Sequence, residues 1–217
     1  MSPEFPTHLK VKVCGLRHTP NLVEISQLSI DLMGFIFYPE SPRYAKDTLE
    51  KEALEALPSS IGKVGVFVNE HPDTLLEIVH AYHFDLVQLH GKENPAHCES
   101  IKKAGVQVLK VFSVAEEKDL RYTKEFEEVA DYFLFDTKSP SHGGTGQKFN
   151  WDLLDAYNGA KPVFLSGGIG PEDALSIQSA VKKYPWIVGV DLNSRFELAP
   201  GLKDAHVLNT FIASLNR

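Results

Sequence analysis

Four polar side chains stand where short apolar runs of this 217-residue sequence end. Cys14 closes the run Leu9–Val13, Arg43 lies in the loop after Met33–Phe37, His90 follows Asp85–Leu89, and Asp136 follows Ala130–Phe135. A thiol and a carboxyl can serve as general base and general acid when their surroundings set opposite protonation states. A guanidinium offers a planar fork to a carboxylate. An aspartate directly after an apolar strand is costly to bury unless it is paired or protonated. Each residue also has a plainer reading. Cys14 could be a small buried hydrophobe, Arg43 a solvated loop arginine, His90 a satisfied polar plug, and Asp136 a turn residue or helix cap. Gly15 weighs toward chemistry at Cys14, since it removes a side chain where a substrate would approach. Pro39 and Pro42 stiffen the loop that carries Arg43.

Three further segments suit an anion. Gly143-Gly144-Thr145-Gly146 can bring backbone N–H groups together, so Gly144 and Gly146 are candidate phosphate donors. No Gly-Lys-Ser/Thr closes that run, so it is not a P-loop. Gly167 and Gly168 sit in Ser166-Gly167-Gly168-Ile169-Gly170, a strand-to-helix turn suited to phosphate at a helix N-terminus. The dinucleotide fingerprint Gly-x-Gly-x-x-Gly is absent. Asn193 and Ser194 follow the last strand-like run in Asp191-Leu192-Asn193-Ser194-Arg195. Metal and hydrolase chemistry find less support. His80 and His83 share a helix face without a carboxylate partner in a metal motif, so no metal site is expected. No Gly-x-Ser-x-Gly elbow occurs, and Cys98 falls mid-helix, where packing explains it.

Positioning these groups requires a scaffold of alternating elements. The strand-like runs are Leu9–Val13, Met33–Phe37, Val64–Val68, Asp85–Leu89, Val106–Phe112, Ala130–Phe135, Pro162–Leu165 and Trp186–Val190. Consecutive apolar positions in several of them fit parallel strands buried on both faces. Helix-like segments lie between: Leu22–Leu28, Asp47–Ala56, Pro72 with Thr74–His83, Asn94–Ala104, Glu116–Glu128, Pro171–Val181 and Asp204–Leu215. This alternation predicts an α/β fold, a single (β/α)8 TIM barrel over residues 1–217 with residues 1–7 as a short lead-in. The rival is a doubly wound open sheet. In a barrel, strand ends and the loops after them converge on one rim, and the loops after strands seven and eight form the usual phosphate site.

Composition narrows the function classes. A net charge of −7 argues against a dedicated nucleic-acid binder, which usually shows a basic patch. The longest stretch free of Asp, Glu, Lys and Arg, Ala205 to Asn216, has 12 residues, too short for a membrane span. No basic segment followed by an apolar core opens the chain, so no signal peptide is read. Two cysteines make no disulfide framework, and a cytoplasmic setting is expected.

Taken in order, these elements resemble the phosphoribosylanthranilate isomerase family, a barrel of tryptophan biosynthesis. The resemblance runs from about residue 10 to residue 215. It rests on Lys12-Val13-Cys14-Gly15, Gly34-Phe35-Ile36-Phe37-Tyr38, Ser41-Pro42-Arg43-Tyr44, Val64-Gly65-Val66-Phe67-Val68-Asn69, Val87-Gln88-Leu89-His90-Gly91, Phe135-Asp136-Thr137-Lys138, Gly143-Gly144-Thr145-Gly146, Ser166-Gly167-Gly168 and Pro200-Gly201-Leu202-Lys203-Asp204. It implies an Amadori rearrangement of N-(5-phosphoribosyl)anthranilate to 1-(2-carboxyphenylamino)-1-deoxyribulose 5-phosphate. By the same resemblance Cys14 is the general base, Asp136 the general acid and Arg43 the anchor of the anthranilate carboxylate. The turns after strands seven and eight hold phosphate, His90 supports the site, no cofactor is needed, and the chain is a monomer or homodimer. The family's Ser-Ser-Gly-Val-Glu after strand eight is replaced here by Asn193-Ser194-Arg195-Phe196-Glu197. An arginine in place of glycine implies an altered turn or a compensating contact. Arg195 is therefore either a solvent-facing side chain, the preferred reading, or a phosphate ligand. The rival enzyme is an isomerase of histidine biosynthesis or one serving both pathways. A non-catalytic phosphate- or indole-binding barrel is the alternative class.

Overall fold

A computed structural model describes residues 8–137 and 151–215. Eight parallel strands close into a barrel in chain order: β1 Lys10–Cys14, β2 Leu32–Ile36, β3 Gly62–Phe67, β4 Leu86–Leu89, β5 Gln107–Val114, β6 Tyr132–Thr137, β7 Val163–Leu165 and β8 Ile187–Leu192. The closing joint pairs β8 with β1, with Lys12 opposite Asp191. Every strand-like run of the sequence lies on one of these strands, and the open-sheet rival is set aside. The proposed lead-in, residues 1–7, lies outside the described residues.

Alternation along the strands sorts side chains into two cores. Cys14, Val64, Val66, Leu86, Leu109, Val111, Leu134, Phe164 and Val188 fill the barrel interior. A larger apolar layer lies between barrel and helices, where Phe37 packs on Phe67, Tyr82 and Phe84, and Tyr157 on Phe135 and Trp186. The far rim is tied by a repeated joint. Asp31, Asp85 and Asp131 each precede an even-numbered strand. Their carboxylates accept from the backbone N–H of Val11, Lys63 and Val108 at 2.8, 2.8 and 2.9 Å. Their own N–H groups donate to the carbonyls of the same three residues. Each aspartate thus fixes the stagger between an odd strand and the next even one.

The helices are α1 Thr19–Ile25, α2 Lys51–Glu55, α3 Pro72–Tyr82, α4 Pro95–Lys103, α5 Ala174–Lys183 and α6 Ala205–Ser214. Prolines at the first turns of α3 and α4 suit positions that need no amide donor. Asn94 and Asp204 cap α4 and α6 by accepting from His97 N and Val207 N. Three segments differ from expectation. The helix-like stretch 116–128 is a 3-10 helix over Glu117–Phe126, whose buried residues Leu120, Thr123 and Phe126 recur every three positions, the 3-10 period. The stretch 47–56 is helical only from Lys51, because Thr48 N and Leu49 N both turn back to Ala45 O. The helix over 171–181 starts as a 3-10 turn, Pro171–Asp173, before α5. No helix among the described residues is long and apolar enough to cross a membrane.

Candidate active site

The C-terminal rim gathers the polar strand ends. Cys14 ends β1 with its side chain in the barrel interior. Asp136 lies on β6 two residues after the interior residue Leu134, so it shares that inward face. Both are buried. Asp136 Oδ1 accepts from Thr137 N at 2.8 Å, and Oδ2 lies 3.5 Å from His90 Nε2. His90 Nδ1 in turn lies 3.4 Å from the amide nitrogen of Gln88. Gln88 is buried beneath it, and its Oε1 has no hydrogen-bond partner among the described residues. His90 therefore stands between Gln88 and Asp136.

Gly15, at φ +81°, lets the chain turn away from Cys14. A β-carbon there would stand 2.7 Å from Arg43 Cδ and 2.9 Å from Asn193 Oδ1. Arg43 thus crosses the rim directly over Gly15. Its fork closes on Glu197, from Nε to Oε1 at 2.9 Å and from Nη2 to Oε2 at 2.7 Å. The fork expected for a substrate carboxylate is thereby held by an internal one, and the Nη1 amino group stays outside that pair.

Glu197 is the centre of a buried network. Its Oε1 also accepts from Lys203 Nζ at 2.7 Å and from Gly201 N at 3.0 Å. Lys203 Nζ donates to Asn193 Oδ1 at 2.7 Å. Burial alone would push the Glu197 carboxyl up, but the hydrogen bonds and charges of Arg43 and Lys203 hold it below the usual carboxylate range. Burial pushes Lys203 down to about 8, outweighing the attraction of Glu197. Burial also pushes the Cys14 thiol up, against the pull of the Lys12 and Lys203 ammonium groups. The ionising help expected for Cys14 is therefore present in these cations, yet desolvation outweighs it.

At the far side of the mouth, Gly167 and Gly168 take φ of +87° and +65° after β7. A β-carbon on Gly167 would collide with Thr137 Oγ1 and stand 3.1 Å from Asp136 Oδ1, so this turn packs against the acid. Asn193 leads into a 3-10 turn over Ser194–Phe196. Among described residues only Asn69 and His83 combine a side chain with positive φ. Arg195 therefore sits at a position that has no need of glycine. Its Nη2 pairs with Glu172 Oε1 at 3.0 Å, with both side chains about half-exposed, 44% and 48%. Gly144 and Gly146 lie outside the described residues.

Sequence reasoning assigned no role to Lys12, Gln88, Asp191, Glu197 or Lys203. Lys12 carried one readable signal, a charge two residues before Cys14 in the strand Lys10–Cys14, hence on the same face. Among the described residues no three His, Cys, Asp or Glu side chains form a group able to hold a metal ion.

Comparison with known proteins bears on what this rim does. The profile of the family described as N-(5'phosphoribosyl)anthranilate (PRA) isomerase matches residues 11–214. The chain is similar to the N-(5'-phosphoribosyl)anthranilate isomerase of Parabacteroides distasonis, 42% identical over 206 residues, covering 94% of this chain and 92% of that one. It is 44% identical to that of Phocaeicola vulgatus over 207 residues, covering 95% and 98%. Its fold is similar to the crystal structure of phosphoribosyl anthranilate isomerase from Thermotoga maritima, with TM-score 0.81, 32% identity, and 96% and 98% of the two chains covered. A second structure of such an isomerase, in complex with reduced 1-(o-carboxyphenylamino)-1-deoxyribulose 5-phosphate, aligns with TM-score 0.78 at 30% identity, covering 96% and 98%.

Proposed function

The chain belongs to the N-(5'-phosphoribosyl)anthranilate isomerase family of tryptophan biosynthesis, and from that premise we propose how its residues divide the reaction. Protonated Asp136 donates to the ribose ring oxygen. The C1–O bond breaks, and the nitrogen lone pair forms a Schiff base with C1. The Cys14 thiolate then takes the proton from C2. The C–H electron pair becomes a C1=C2 double bond, and the C=N pair returns to nitrogen. The C2 hydroxyl passes its proton to the Asp136 carboxylate while the Cys14 thiol gives one to C1, giving the ketone 1-(2-carboxyphenylamino)-1-deoxyribulose 5-phosphate and restoring both groups. Atoms and charge balance, as an isomerisation requires, and no step calls for a cofactor or metal.

One observation carries this reading. Cys14 and Asp136 both project inward at the same end of the barrel, from β1 and β6. The substrate carries an anion at each end. Arg43 supplies a cation over Gly15, next to Cys14, and its Nη1 group, left outside the Glu197 pair, is suited to the anthranilate carboxylate. Gly167, Gly168 and Ser194 supply backbone N–H donors for phosphate on the other side, with Asn193 shaping that turn. Gly144 and Gly146 are proposed as further phosphate-binding residues. Two fixed ends hold the reacting carbons between base and acid. His90 orients Asp136 and takes no proton.

The test generates phosphoribosylanthranilate in situ and follows the loss of anthranilate-type fluorescence with and without the protein. Rapid loss that depends on the protein supports the reading. No acceleration contradicts it and favours a binding barrel.

A further inference from the structure

Lys12 is wholly buried inside the barrel, two residues before Cys14 on the same strand face. A buried ammonium is costly unless it is paired. Its Nζ donates to Asp191 Oδ1 at 2.7 Å across the joint that closes the barrel. That bond uses one of three ammonium donors. The reaction derived above uses neither residue.

The ammonium also lies close to the sulfur. A β-carbon on Gly34, the β2 neighbour, would stand 2.8 Å from Cys14 Sγ and 3.0 Å from Lys12 Nζ. Gly34 therefore keeps open the gap that thiol and ammonium both border, and the ammonium charge favours the ionised thiol. The other charges acting on this thiol are Asp191 on β8 and Lys203 just before α6, while Arg43 and its partner Glu197 lie over the adjacent Gly15. Burial is the largest influence on Cys14 and opposes ionisation, Lys12 is the strongest influence favouring it, and Asp191 opposes it.

We propose that Lys12 is a positioning residue for proton abstraction: Asp191 holds its ammonium beside the gap at Gly34 that Cys14 Sγ also borders, where its charge stabilises the thiolate that takes the C2 proton. The proposal rests on Cys14 being the base. When the S–H bond forms, Lys12 keeps a counter-charge in Asp191, so the cation is not stranded inside the barrel after the transfer. The same pairing explains why a charged residue is tolerated among apolar neighbours.

The test is the pH dependence of Cys14 alkylation by iodoacetamide in the full chain carrying Cys98→Ala. The other thiol, Cys98, is pushed up to about 11 by burial and is removed to leave one reporter. Lys12→Met alone would strand Asp191, so Asp191→Asn is compared with Asp191→Asn plus Lys12→Met. Loss of Lys12 should raise the alkylation midpoint by about one pH unit or more, roughly a tenfold loss of thiolate. It should lower kcat by a similar factor and change KM less than about threefold. A second variant removes no charge: Gly34→Ala places a methyl between sulfur and ammonium and should raise the midpoint in the same direction. Midpoints unchanged in both variants would overturn the proposal while leaving Cys14 free to be the base. Full turnover in Cys14→Ser would remove the base assignment, and the proposal with it, whatever the midpoints do.

Discussion

The guanidinium of Arg43 is clasped by Glu197, with Nη2 to Oε2 at 2.7 Å and Nε to both carboxylate oxygens at 2.9 and 3.1 Å. A loop arginine held in this way is already aligned before any ligand arrives, which lowers the ordering cost of binding. Glu197→Gln keeps the shape and weakens the clasp. It should raise KM by about tenfold and change kcat less. Arg43→Lys keeps the charge and loses the planar fork, and should lower kcat/KM by about tenfold or more. Steady-state kinetics decide both, and an unchanged kcat/KM in Arg43→Lys would show that this residue does not touch the substrate.

His90 stands 3.5 Å from Asp136 and takes no proton in the proposed reaction. His90→Asn should keep more than about a tenth of kcat, whereas loss of a general acid or base costs about a hundredfold or more. A collapse as deep as that of Cys14→Ser would place His90 in the chemistry.

Lys203 gives a pH signature. Its folded value of about 8 lies below the ordinary 10.5. Between those two values the unfolded chain holds a proton that the folded chain has released. Stability therefore rises with pH across that window. The contribution is fully present above the ordinary lysine value and is lost as pH falls through about 8. Urea unfolding from about pH 7 to about pH 10 should show this rise in the native chain relative to Lys203→Met. Parallel pH profiles in the two would contradict it.

Arg195 pairs with Glu172, and that partner explains its place better than a phosphate does. Arg195→Gly should leave KM within about threefold. A rise of about tenfold that persists at high salt would make it a phosphate ligand, since a charged hydrogen bond is worth roughly 1.5–3 kcal/mol while long-range steering is screened.

Much of the scaffold is legible in the sequence because strand periodicity, proline at helix starts and glycine after strands are local signals. Cys14, Asp136, His90, Gly167 and Gly168 could be placed at strand ends for that reason. What escaped depends on contacts between distant residues. Lys12 and Asp191 are 179 positions apart, and only the barrel's closing register brings them together. Arg43 and Glu197 are 154 apart, so nothing local in the Arg43 loop reveals that its fork is occupied. The 3-10 helix over Glu117–Phe126 escaped for a different reason: its buried residues recur every three positions, a period close to that of an α-helix.

The central claim is that Cys14 and Asp136 form the base and acid pair. The most direct measurement is kcat of Cys14→Ser and Asp136→Asn with phosphoribosylanthranilate generated in situ, alongside circular dichroism and melting of each variant. Both should fold as the native chain does and lose at least about a hundredfold in kcat. Near-native kcat in either folded variant would contradict the account.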